Sequence, residues 1–199
     1  MSQKTTVTLV FFVIFGLFSL FKSVYAPHSA ISTAKVPLPS QRFLQSIHTA
    51  AAFGSCQAKG PLPDPSCTPG VANTDVTQEN IQQTICVQGY TKTIRPPVSY
   101  TDQVKQERMA AYGDTDSRKD YELDHLIPLE VGGDPSSIEN LWPEPALPMP
   151  GFHEKDVVEN YLHEQVCSGH LKLKDAQQQI TSNWTAVFTA LPAGYQQLR

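Results

Sequence analysis

Asp124 and His125 are sequence neighbours. On an extended strand, adjacent side chains point to opposite faces, so the carboxylate can hold a cation while the imidazole meets a substrate. A neutral imidazole titrates near physiological pH and can take a proton from water. Further along, Glu159 and His163 lie four residues apart, the spacing at which two side chains share one helix face, and either one could reach back to Asp124. The chemistry that uses such a set is metal-assisted attack of water on a phosphodiester. It requires a base for the water, a cation for the charge that builds on the phosphate and the leaving oxygen, and a scaffold that holds both on one edge. Each residue alone has a plainer use: Asp124 as a turn cap, Asn140 as the start of a strand, His163 as a packed helix histidine. Their joint occurrence favours the chemical use.

The elements that must position these groups come from residues 121–145 and 154–167. Leu126, Ile127 and Leu129 are apolar strand formers, Pro128 holds its predecessor extended, and Gly132-Gly133 permits a positive-φ reversal. Asp134-Pro135-Ser136-Ser137 is a loop of turn formers, and Asn140-Leu141-Trp142 reads as a return strand that Pro143 and Pro145 end. The result is a β-hairpin with an irregular loop. Residues 154–167 place Val157, Val158, Tyr161, Leu162 and Val166 at helical spacing, which predicts a helix carrying Glu159 and His163.

Asp-His, then Pro three residues after the His, then Gly-Gly, then Asn-Leu resembles the HNH nucleases of the ββα-metal group, over about residues 121–167. The resemblance implies a hairpin followed by a helix that carries the last metal ligand. It makes His125 the general base and gives the cation to Asp124 and His163. His163 is favoured over Glu159, which becomes a support or substitute ligand, because that helix position is commonly His or Asn. Asn140 matches the middle Asn, whose implied role is to brace the loop around the catalytic His with amide hydrogen bonds. Few protein ligands leave room for waters and phosphate oxygens, as Mg²⁺ prefers, while a His ligand also admits Mn²⁺, Zn²⁺ or Ni²⁺. The chain departs from the common form between Leu141 and Glu154, where Pro145, Pro148 and Pro150 stand and the paired cysteines of a structural zinc do not.

At 199 residues and 40% hydrophobic content, the chain suits one packed domain plus extensions. Lys4, the apolar run over 7–20 and the small residues near Ala26 predict a cleaved signal peptide over 1–26, with an uncleaved anchor as the alternative. Cleavage would remove Lys4 and Lys22 and no acid, taking the formal charge from −4 to −6. An acidic balance argues against broad non-specific binding to a polyanion but permits a local basic groove. Lys92, Arg95, Lys105 and Arg108 form the one basic cluster ahead of Asp124 and are the candidates for gripping phosphate. The plainer use for them is as solvated surface charge.

Four cysteines after the leader suit two disulfides in an oxidising compartment. Of three possible pairings, Cys86–Cys167 with Cys56–Cys67 is favoured because it ties the site helix to the upstream body. Residues 27–66 read as a linker with a possible helix over 43–53, residues 67–191 as the domain and 192–199 as a frayed tail. Within the domain, helices are expected over 76–86, 101–112 and from Lys172 or Lys174 to Ala190, with 89–98 extended. The expected fold is α+β, a hairpin-plus-helix site in a mostly helical, disulfide-tied body. Two functions follow: a secreted or periplasmic HNH-type nuclease with a nucleic acid as partner and no lasting membrane insertion, or a non-catalytic secreted binding module that retains the hairpin.

Overall fold

A computed structural model describes residues 53–195. The expected leader over 1–26 and all but the last residue of the helix expected over 43–53 lie outside them. In chain order the described elements are α1 (Tyr90–Ile94), α2 (Val98–Tyr112), β1 (Tyr121–His125), β2 (Leu141–Pro145), α3 (Phe152–Cys167) and α4 (Leu173–Ala190). This is a mixed α+β arrangement. Among the described residues, no helix is long and apolar enough to cross a membrane.

β1 and β2 pair antiparallel, with His125 opposite Leu141, Asp124 opposite Trp142 and Glu122 opposite Glu144. Directly opposed residues share a face, so Glu122, Asp124, Trp142 and Glu144 project to the same side of the hairpin. Pro143 and Pro145, expected to end the return strand, lie inside it. A two-stranded ribbon leaves each strand an open edge, where a residue without an N–H is tolerated. Leu126, Ile127 and Leu129, expected in the first strand, instead begin a compact loop and are buried there.

The core forms where α3 meets α4. Val157, Val158, Leu162 and Val166 pack with Ala176, Ile180 and Trp184, and Ile127 and Val131 come in from the hairpin loop. Val76, Ile81 and Ile85 complete it, although the helix expected over 76–86 is reduced to a 3-10 turn at Ile81–Gln83. The Asn80 side chain accepts from Thr77 N at 2.8 Å and donates to Asp75 O at 2.9 Å, local side-chain bonds that compete with helical ones at the start of this segment. Residues 89–98 are likewise not wholly extended, since α1 forms behind Gly89 at φ +86°. α2 starts at Val98, ahead of the expected residue 101, with Pro97 at its N-cap.

The packed unit also exceeds the expected limits of 67 and 191. Gly54 N and Cys56 N donate to Ala110 O and Ala111 O at 2.9 and 3.0 Å, and the Trp184 indole donates to Pro61 O at 3.0 Å. Past residue 191, the Tyr195 ring stands edge-on to Tyr161 at 5.0 Å. Two disulfides are formed, Cys56–Cys67 and Cys86–Cys167. The second closes a loop with a sequence separation of 81, a constraint on the unfolded chain of about 4.5 kcal/mol in the chain-entropy account.

Candidate active site

His125 ends β1 and is 8% exposed. Its Nε2 lies 3.1 Å from the Pro135 carbonyl, and a carbonyl oxygen only accepts, so Nε2 carries the proton. Nδ1, the other ring nitrogen, is then the one with a lone pair. Burial lowers the His125 pKa, with the Pro135 contact and Asp124 opposing. The ring is therefore neutral at physiological pH, as a proton acceptor must be.

The loop that aims Pro135 at this ring is tied at several points. Asp134 Oδ1 accepts from Ser136 N at 2.9 Å and Ser137 N at 2.7 Å. Asn140, fully buried, uses its whole amide: Oδ1 accepts from Ile127 N at 2.9 Å and Val71 N at 3.3 Å, and Nδ2 donates to the Ile127 and Asp134 carbonyls, both at 3.0 Å. Gly132 supplies the positive φ, +75°, while Gly133 supplies room: a β-carbon there would stand 1.8 Å from Ile127 O.

On the far side of β1, Lys155 of α3 is wholly buried. Its Nζ pairs with Asp124 Oδ2 at 2.7 Å, pairs with Glu159, and donates to the His125 carbonyl at 3.0 Å. Burial works against the ammonium, but the charge of Asp124, the largest opposing influence, outweighs it and keeps the group charged. Glu144 is also fully buried, and neither carboxyl oxygen has a hydrogen-bond partner among the described residues. Burial first, then Asp124, raises its pKa well above the carboxylate range. Glu159 is pushed up to about 8 by burial, with Asp124 and Glu130 adding and Lys155 opposing.

A measurable pH dependence follows from Glu159. Between its ordinary 4.5 and about 8, the folded chain keeps a proton that the unfolded chain has released, so this group's contribution to stability is lost as pH rises across that window. Glu159→Gln should flatten the decline by up to about 1.4 kcal/mol per pH unit, read from denaturant midpoints at stepped pH. His125, whose lowered pKa acts in the opposite sense below 6.5, is common to both proteins. Equal slopes would place the proton elsewhere.

Two further carboxylates lie in the field of Asp124. Burial and then Asp124 raise both Glu122 and Asp156, and Asp156 lines a groove of about 760 Å³ along α3 with His153, Asn160 and Met149. Asp124, Glu122 and Asp156 are hard oxygen donors suited to Mg²⁺ or Mn²⁺. Arg95 is exposed, and its charge reaches Glu122, Glu130 and His125. Lys92 is exposed as well.

Three expected site residues are engaged differently. Arg108 is buried and donates to Leu141 O at 2.9 Å, Cys67 O at 3.2 Å and Thr68 Oγ1 at 3.0 Å, so its fork clamps β2 to the upstream segment instead of gripping phosphate. Lys105 donates to Tyr121 O at 2.6 Å and braces the start of β1. His163 bonds the Ile85 carbonyl at 3.0 Å and makes no ion pair with Asp124. Four residues advance a helix by about 6 Å, so Glu159 comes level with the cation beside Asp124 while His163 passes beyond it to the disulfide. There, ligand atoms of Cys86, His163 and Cys167 lie within 4.8 Å of one another, a grouping able to hold a metal ion. The two sulfurs are bonded to each other, so the thiolates such an ion needs exist only after reduction.

Sequence reasoning missed Lys155, Glu144, Glu122 and Asp156. The Lys155-to-Glu159 spacing of four and the alternation of Glu122 with Asp124 were signals for part of this set. No family model, curated protein or solved structure matches the chain.

Proposed function

We propose that the chain is a secreted or periplasmic, metal-dependent nuclease of the HNH, ββα-metal kind that hydrolyses phosphodiester bonds with His125 as general base. The observation that carries this reading is the state of His125: neutral, with Nε2–H committed to Pro135 O, one residue from the buried Asp124 carboxylate, whose charge Glu122 and Asp156 feel. Two disulfides suit export to an oxidising compartment.

In the mechanism, Nδ1 of His125 removes a proton from water as its oxygen attacks phosphorus, and the bond to the leaving oxygen breaks. Pro135 O fixes the tautomer and stabilises the imidazolium that results. Asn140 holds the loop that carries Pro135, so it acts through His125 and not on substrate. Asp124 would hold the divalent cation, whose remaining ligands would be waters and phosphate oxygens. When bound, that ion supplies positive charge to the phosphate and the leaving oxygen. Arg95 and Lys92, both exposed, would meet a substrate phosphate, where a guanidinium can bind two oxygens at once.

The test is direct. DNA and RNA are incubated with the protein and Mg²⁺ or Mn²⁺, with and without EDTA. Cutting that EDTA abolishes is expected; no cutting of either polymer with any divalent ion would sink the nuclease reading and leave the non-catalytic binding module.

A further inference from the structure

We infer that Asn183 is an N-glycosylation site, which takes an oligosaccharide from a lipid-diphosphate carrier during export. Asn183-Trp184-Thr185 is the one place in the chain where Ser or Thr stands two residues after an Asn, the acceptor pattern of exported chains. By helical period the triplet would lie unbroken inside α4, with its backbone shut away from any modifying enzyme. The helix breaks there instead. Asn183 is exposed and leaves helical geometry at φ −171° and ψ 88°, although α4 contains no Pro or Gly to interrupt it.

The two ends of the Asn183 amide are used differently. Oδ1 accepts from Ala186 N at 3.1 Å and from the Thr185 hydroxyl at 2.7 Å, so it caps the last turns of α4 as an Asn at a helix start does. Nδ2 makes no hydrogen bond among the described residues. Capping alone would be served as well by Asp or Ser; the amide nitrogen is the part of Asn183 that the fold leaves unused. Trp184, between the two, is fully buried, and its indole bond to Pro61 O pins the break from inside while Asn183 faces solvent.

In the transfer, Nδ2 bonds to the anomeric carbon of the oligosaccharide as the bond from that carbon to the carrier's diphosphate breaks. The electron pair of the broken bond leaves with the lipid diphosphate, and one Nδ2 proton passes to solvent. The Thr185 hydroxyl donates to Oδ1 and draws electron density toward the oxygen, which makes the Nδ2 hydrogens easier to lose. The site rests on the export part of the proposed function and not on the nuclease chemistry.

The experiment expresses the full chain in a eukaryotic host with a secretory pathway, as wild type, Asn183→Asp, Thr185→Val and Thr185→Ser. Medium and cells are both analysed by mass spectrometry, before and after an amidase that releases N-linked glycans. The wild type and Thr185→Ser should carry one oligosaccharide, and its release should leave an Asp at position 183. Thr185→Val lacks the hydroxyl and should lose the added mass. Asn183→Asp keeps the capping oxygen, so it folds, and it should lose the added mass as well. Wild type without sugar, in medium or in cells, overturns the assignment; if it is in the medium, export still stands. Sugar retained on Asn183→Asp would place it on another residue and overturn the assignment too. An occupied Asn183 in a protein that cuts no nucleic acid would sink only the nuclease reading.

Discussion

His125→Ala should slow phosphodiester cleavage by about 10²–10⁴ while leaving divalent-ion affinity near that of the wild type. The imidazole is the base and not a ligand in this scheme, and the oxygen donors of Asp124 and its neighbours stay in place. The same assignment fixes a pH profile. The wild-type rate should fall on acidification only as pH passes through the His125 pKa, which burial holds below the ordinary 6.5. Loss of the bond to Pro135 O removes one tie to the loop, so the variant must first be shown to keep the wild-type circular dichroism spectrum and melting behaviour. A normally folded His125→Ala protein that cuts at the wild-type rate would end the proposed mechanism.

Gly133→Ala should be among the most destabilising single-methyl additions in the chain. The new carbon would lie 1.8 Å from Ile127 O, 2.7 Å from Ile127 C and 3.0 Å from Asn140 Nδ2. Two of these are backbone atoms, and the third is bonded to two carbonyls, so no flexible side chain can swing aside. The loop must move, and with it the amide network and the carbonyl that orients His125. A loss of about 3 kcal/mol or more is expected, a fall in Tm of roughly 10 °C. Gly169→Ala is the comparison, with a positive φ of +79° but nothing within 4 Å of the added carbon; it carries backbone strain alone and should cost less. Melting of Gly133→Ala within about 2 °C of the wild type would show that the loop has slack.

The sequence reveals what depends on local order. Asp124, His125, Gly132-Gly133 and Asn140 announce a braced loop because each residue type suits its own conformation, and the apolar stripes of α3 and α4 follow from helical period alone. It hides what depends on how far one element is shifted along another. Glu159 and His163 share a face in any helix, but which one comes level with Asp124 is set by how the 146–151 connection delivers α3 to the hairpin. Arg108 and Lys155 hide for a different reason. Within the runs QERMAA and HEKDVV each resembles solvated helix charge, and only the arrival of Leu141 O, Thr68 and Cys67 around one, and of Asp124 and Glu159 around the other, makes burial tolerable. The 76–86 segment shows the reverse, a helical pattern that Asn80 overrides with two side-chain bonds.

The Cys86–Cys167 bond encircles the hairpin and most of the site helix, and the chain between them includes a turn where Leu147 and Met149 are exposed. A protease that nicked this turn would separate Asp124 and His125 from Lys155 and Glu159 in sequence but not in space. The two fragments would remain one covalent molecule at high effective concentration. Such a nicked form would migrate as the intact chain on a non-reducing gel and fall into two bands under reduction. The candidate site would be assembled from two peptides held by a single sulfur–sulfur bond and the shared core.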